Sequence, residues 1–373
     1  MKSGQKHREV SQRLTEEIAA GKYSQTGRLP SEVRLVERFG VSRPTVARAL
    51  RDLESGGLIE RRAGSGTYVR QSGLPMQGDK VLGLLIPGLG TTEIFGTICG
   101  ELAGLARAEE YTLLWGDSAA AAAPQAETEI SPEHALKLGQ QFIERRVSGV
   151  FFAPFESGDG AQANHRITEL FARAGVPVVL LDRDIVPFPA RSAFDVVGIN
   201  DVAAGHLLAN HLVKLGCRHI AFVTVSGTVP TVAARICGVR EALLAARLEF
   251  PPDAVHIGNP AEARFVHSLT AGRRWDAVIC ANDLTAAQLL QSLTREGIRV
   301  PQELRLAGFD DVRFASLLSV PLTTVHQPCR ELAVTAFRTL LERIAEPTLP
   351  FRSQALTPRL VVRESCGAYL QGA

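Results

Sequence analysis

"VVGINDVAAGHLLANHLVKLGCRHIAFV", residues 196–223, reads as a short apolar run, a helical stretch and a second apolar run. Neither run alternates with polar residues. A strand that is apolar at every position is covered on both faces, and a strand–helix–strand unit built from such runs makes a parallel sheet. The same unit recurs in both directions along the chain. Apolar runs stand at 81–86 (VLGLLI), 111–115 (YTLLW), 149–153 (GVFFA), 176–181 (VPVVLL), 277–280 (AVIC) and 304–308 (LRLAG), with helical stretches between them. Eight runs are too many for one small sheet, so the fold class is α/β with two lobes.

Ahead of residue 81 the pattern is different. Val10, Leu14 and Ile18 repeat at helical spacing up to Gly21, and a second helix runs from Ser31 as cap to Gly40 as stop. A third, "SRPTVARALRDLESGG", ends at Gly56-Gly57, and "LIERRAGSGTYVR" reads as two strands around a Gly-rich turn. Three helices and a hairpin within residues 1–70 make a winged helix-turn-helix. Residues 71–80 are polar with Gly and Pro and read as a linker, followed by a body over 81–373. Residues 118–127, an alanine-rich stretch, read as a surface loop.

Charge follows this division. Residues 1–70 hold 14 Lys and Arg against 8 Asp and Glu, whereas the other 303 hold 27 against 31. A basic front end on a mildly acidic body points to nucleic acid as a partner. The segment "FGVSRPTVARAL" at 39–50 gives that charge a direction. Ser42 is placed to cap the third helix, and Pro44 fits its first turn, where no donor is missed. The helix start is therefore sharply defined, and with it the aim of Arg43 and Thr45. Arg43 is positioned to pair with guanine, Thr45 to reach a phosphate or a thymine methyl, and Arg48 to meet the backbone. Val41, Val46, Ala49 and Leu50 would form the core. Gly64 at the hairpin tip lets main chain approach a phosphate or the minor groove.

Other classes of protein are disfavoured. The six cysteines (99, 217, 237, 280, 329, 366) form no Cys-x-x-Cys pair, which argues against a zinc or redox site and fits a reducing cytoplasm. His206 and His211 are five apart, off one helical face, so no metal is expected. The N-terminus lacks an apolar signal region and no membrane-length apolar run occurs, so a soluble, cytoplasmic protein is expected. "VLGLLIPGLGTTEIFG" imitates a dinucleotide fingerprint through Gly88 and Gly90, with Asp117 as the would-be ribose ligand. Its third glycine position is Glu93, a carboxylate where a pyrophosphate needs close packing and positive potential. No G-x-S-x-G or metal-spaced His/Glu cluster supports an enzyme, and no cofactor is expected.

Residues 8–70 resemble the GntR-type winged helix through "EEIAAGKYSQTGRLPSE" and "FGVSRPTVARALRDLESGGLIERRAGSGTYV". Val33 and Ala47 stand where members often carry basic residues, with Arg34 and Arg48 as the cations that compensate. GntR-like heads join several kinds of body. The strands exclude an all-helical one. An aminotransferase-like one needs a Schiff-base lysine, and Lys80, Lys137 and Lys214 lie in the linker and on helices.

Residues 81–366 instead resemble the LacI-type effector domain, itself similar to periplasmic sugar-binding proteins. The resemblance rests on "VVLLDRD", "RICGVREAL", "AVICANDLTA", "LRLAGFDDV", "VPLTTVHQP" and the opening stretch. The combination is similar to arabinose-type repressors. It implies two lobes joined by three crossings, near 200, 321 and 348. Lobe one would hold 81–199 and 322–347, lobe two 200–321 and 348–373. It also implies a sugar in the cleft, held by Asp182 and Arg183 from one lobe and by Arg235, Asn282 and Asp310 from the other. Phe95 would stack on the sugar ring, and Glu156 is either a ligand contact or solvent-exposed. Asp283 and Asp311 are read as structural caps. The LacI hinge helix has no counterpart here. The function this implies is a homodimeric, sugar-controlled transcription repressor on operator DNA. An enzyme or dinucleotide-binding protein with an appended DNA-binding head is the alternative.

Overall fold

The computed structural model describes residues 7, 10, 11, 13, 14, 17, 29–55, 59–62, 66–69, 80–87, 93–115, 130–156, 159–225 and 229–372. Several expectations therefore lie outside the described residues: Ile18 and Gly21, the Gly56-Gly57 stop, Gly64, the linker short of Lys80, the Gly88–Gly90 pair, Asp117 and the alanine-rich stretch. The chain divides into two compact units, Met1–Asp79 and Lys80–Ala373.

In the first unit, α1 (Glu32–Phe39) begins where the Ser31 hydroxyl accepts from the Arg34 N–H at 3.4 Å. It ends at Gly40, whose φ of 58° suits glycine and lets its N–H return to the Val36 carbonyl. α2 (Arg43–Ser55) buries Val46, Ala49, Leu50 and Leu53, one stripe at helical spacing. These pack with Val10, Leu14, Leu29, Leu35 and Ile59, and Val41 lies at the edge of the cluster. β1 (Ile59–Arg62) and β2 (Gly66–Val69) pair antiparallel, Ile59 opposite Val69. The Leu29 N–H donates to the Thr67 carbonyl at 2.9 Å, so the wing is tied to the helical part.

The second unit holds two six-stranded sheets. The first comprises β3 (Val81–Leu85), β4 (Thr112–Trp115), β5 (Gly149–Phe152), β6 (Val178–Leu181), β7 (Asp195–Ile199) and β13 (Ser353–Leu356), in the order β13-β7-β6-β5-β3-β4. All its pairings are parallel. The helices packed around it are α3 (Glu93–Ala108), α4 (Pro132–Glu144) and α5 (Asp159–Arg173).

The second sheet comprises β8 (Ile220–Thr224), β9 (Val255–Ile257), β10 (Ala277–Cys280), β11 (Arg305–Asp310), β12 (Thr323–His326) and β14 (Arg359–Val361). Its order is β14-β12-β11-β10-β8-β9, and only β14 runs antiparallel. Its helices are α6 (Asp201–Lys214), α7 (Pro230–Ala245), α8 (Ala263–Thr270) and α9 (Asp283–Arg295). α10 (Cys329–Ala345) returns to the first lobe, where Arg343 donates to Asp195 at 2.9 Å in a buried ion pair. All eight apolar runs are strands. β3, β5, β6, β7, β8 and β10 are buried at every position, as two-faced cover requires.

The chain passes between lobes at Asn200, at 327–328 and at 357–358. This corrects the boundaries read near 321 and 348. β12 belongs to lobe two and β13 to lobe one, the reverse of their expected assignment. β12 is a polar Thr-Thr-Val-His strand whose Thr324 hydroxyl donates to buried Asp283 at 2.6 Å. β13 alternates exposed with half-buried residues, and the three-residue β14 has one exposed and two half-buried, so neither offers a buried apolar run.

Candidate functional site

In the head, the helix start has the exposure that the sequence reading requires. Ser42, Arg43, Arg48 and Arg34 are exposed, and Thr45 is half-buried. The Ser42 carbonyl accepts from the Thr45 N–H at 2.9 Å and the Val46 N–H at 3.2 Å, which starts α2 at Arg43. The Ser42 hydroxyl meets the Thr45 hydroxyl at 2.8 Å, so the two side chains are held together at the helix start. Arg43 makes a long contact of 3.5 Å to Glu32 and leaves three-quarters of its side chain in solvent. Such a cation at a helix N-terminus is available to an acceptor on nucleic acid.

In the body, the polar residues converge at the carboxyl ends of strands. Asp182 follows β6, Asn282 follows β10, Asp310 ends β11, and Arg235 lies on the second turn of α7. In open α/β sheets this rim is where ligands bind, because the strands point their ends and loops at a common crevice. A cavity of about 520 Å³ lies between the lobes, and Asp182, Arg183, Arg235, Asn282 and Asp310 all line it. Glu156, Thr231 and Gln327 line it as well.

Its floor is an ionic network. Arg235 donates through Nε to Asp201 at 2.8 Å and through Nη1 to the Ala281 carbonyl at 2.7 Å, with Asp310 at 3.9 Å. Its guanidinium lies 4.6 Å over the Phe309 ring. Arg183 pairs with Asp182 at 2.9 Å. Its Nη1 stands 2.8 Å from Glu156 without hydrogen-bond alignment, so a buried N–H is left unsatisfied. Burial pushes the Asp201 carboxyl up to about 7 and outweighs the opposing pull of Arg235. Burial likewise raises Asp310 to about 6, against Arg235 and the Gln327 amide. Asp182 and Asp310 have φ of 69° and 111°, left-handed backbone that costs a non-glycine residue about 1–3 kcal/mol and is held here by the surrounding fold.

Asn282 caps α9, its oxygen accepting from the Thr285 N–H at 2.8 Å, which leaves the amide NH2 as the donor facing other partners. Phe95 requires a correction. It is 4% exposed within the core, 5.7 Å beneath the Arg183 guanidinium, and its neighbour Ile94 reaches the cavity instead. One residue along a helix turns a side chain by roughly 100°, enough to exchange lining for core. Asp283 is fully buried and braces Val312 and Thr324, while Asp311 pairs with His326 and Arg363. Glu93 begins α3 and accepts from the Arg313 N–H at 3.0 Å.

Gln327 went unassigned in the sequence. It sits on the second crossing, is 2% exposed, donates to Asp310 at 2.8 Å and keeps an Oε1 with no partner. No local signal marks it, because the strand before it, β12, is a polar Thr-Thr-Val-His stretch with no apolar run. Asp201 was also missed, because nothing local pairs it with a residue 34 positions on.

Residues 6–69 match the bacterial regulatory proteins of the gntR family, and residues 209–366 match the periplasmic binding protein-like domain. This chain belongs to the GntR-headed regulators with a LacI-type body. The regulator is 26% identical to the arabinose metabolism transcriptional repressor of Geobacillus stearothermophilus, over 96% of this chain and 97% of that one. It is 30% identical to the ribose operon repressor of Escherichia coli K12, over 61% and 67%. It is 28% identical to the transcriptional repressor PurR of Aliivibrio fischeri ES114, over 62% and 67%. Among solved structures, the transcription regulator GntR from Chromobacterium violaceum superposes with a TM-score of 0.61 at 26% identity, covering 77% of this regulator and 99% of that chain. No helix among the described residues is long and apolar enough to cross a membrane.

Proposed function

We propose that this protein is a transcription repressor that reads operator DNA through its winged helix and answers to a small sugar held between its lobes. The observation that carries the reading is the convergence of Asp182, Arg183, Arg235, Asn282 and Asp310 on one cavity. Sugars are recognised by donor and acceptor groups fixed around their hydroxyls. These five residues supply both kinds, and relatives named for arabinose and ribose metabolism support the sugar class. Asp182, Arg183, Arg235, Asn282 and Asp310, with Gln327, form the effector site; Phe95 contributes through the core. Arg34, Ser42, Arg43, Thr45, Arg48 and Gly64 form the DNA-binding surface.

The protein acts as a cytoplasmic homodimer, so that two heads meet a pseudo-palindromic operator. The protein acts as a regulator: relatives at this similarity are named transcriptional repressors, and the carboxylates that line the cavity pair with arginines. The test is fluorescence anisotropy on the full chain, with its upstream DNA as labelled duplex, titrated with pentoses, hexoses and nucleosides. Specific binding that one sugar changes supports the reading. DNA affinity indifferent to every compound would sink it.

A further inference from the structure

The charges around the cavity narrow the effector beyond a sugar-like molecule. Among the described residues only two cations line it, Arg183 and Arg235, and the charge of each is paired with carboxylates. Arg183 lies between Asp182 and Glu156 at 2.9 and 2.8 Å, and Arg235 between Asp201 and Asp310 at 2.8 and 3.9 Å. Four carboxylates thus face two guanidinium groups. Protonation of Asp201 and Asp310, the two carboxyls that burial raises, brings the site to neutrality and never beyond it. The sequence adjoining the lining, at 88–92, 116–129, 157–158 and 226–228, contains no Lys, Arg or His, so it adds no positive charge.

A phosphate ester or carboxylate brought into this cavity would shed water and meet acidic groups, with no unpaired cation to receive it. What the site does leave unsatisfied suits a neutral molecule. Arg183 Nη1 has a buried donor to spare, and Gln327 Oε1 a buried acceptor. A hydroxyl donates and accepts at once, and so meets both demands.

We propose that the effector is a free, uncharged sugar, and that the site rejects its phosphorylated and acidic forms. The regulator then responds to a sugar ahead of the kinase reaction that consumes it. This rests on the reading of the cleft as a sugar site. The experiment is calorimetric titration of the full chain with matched pairs: D-ribose and D-ribose 5-phosphate, L-arabinose and L-arabinose 5-phosphate, D-glucose and D-glucose 6-phosphate. The expected result is one neutral sugar binding at least about a hundredfold more tightly than its ester, with Glu156→Lys narrowing that ratio at least about tenfold. An ester that binds as well as or better than its parent overturns the proposal and leaves the sugar reading standing. Silence from both members of every pair overturns the two together.

Discussion

Arg235 donates to Asp201 across 2.8 Å, and the bond joins the first turn of α6 to the second turn of α7 directly under the cavity. The two helices come this close because glycine stands at both points of contact. A Cβ on Gly205 would lie 2.0 Å from the Arg235 carbonyl oxygen, and one on Gly238 would lie 1.9 Å from that of Val202. Helix packing therefore sets the height at which the guanidinium enters the cleft.

Replacing Arg235 with alanine strips Asp201 and Asp310 of their shared cation in a buried site. Breaking such a pair from one side costs about 3–5 kcal/mol. The variant should unfold at lower denaturant concentration and lose its response to the effector. Operator affinity, measured by anisotropy well below the unfolding transition, should stay at the wild-type level. An intact sugar response would remove Arg235 from the site.

Gly238→Ala tests the helix contact without touching any charged group. The obstacle is main chain, Val202 O and His206 N, which cannot swing aside as a side chain could. A loss of about 3 kcal/mol is expected from overpacking, with effector affinity falling as Arg235 shifts. Wild-type stability and affinity would show that the helices separate freely.

Asp201 and Asp310 titrate at about 7 and about 6 in the folded protein, well above an ordinary carboxylate. Between about pH 4 and 7 the folded state therefore holds protons that the unfolded chain has released. Their stabilising contribution is complete below about pH 4 and is lost as pH rises through 6 to 7. Asp201→Asn removes one of these groups, so its Tm relative to wild type should rise from pH 5 to pH 8. A relative Tm that falls over that range contradicts the assignment.

Arg43→Ala leaves α2 intact, since the helix is started by the Ser42 carbonyl and the helix core lies on its other side. Loss of an arginine–guanine pairing should reduce discrimination between operator and random duplex by about 1–3 kcal/mol. Competition binding with both duplexes measures it. Unchanged selectivity would place the reading side chain elsewhere on the head.

Much of this was legible in the residues themselves. A buried parallel strand has to be apolar throughout, so the eight runs showed themselves, as did caps such as Ser31 and the αL glycine at 40. Asp182, Asn282 and Asp310 could be assigned to the cleft through the LacI-type resemblance, and strand ends are where an α/β crevice gathers such side chains. β9, β12, β13 and β14 could not be read, because short edge or polar strands take their stability from neighbours and not from their own pattern. Phe95 misled because one helical step separates core from cavity, and local spacing does not say which face looks inward. The linear sequence determined which segments would be the buried strands, the helices and the turn that starts α2, since those depend on neighbouring residues. Only the folded chain decided that Gln327 crosses between lobes, that Asp201 partners Arg235, and that two cations are outnumbered by four carboxylates. Those facts depend on distances between residues far apart in the chain, which packing alone sets.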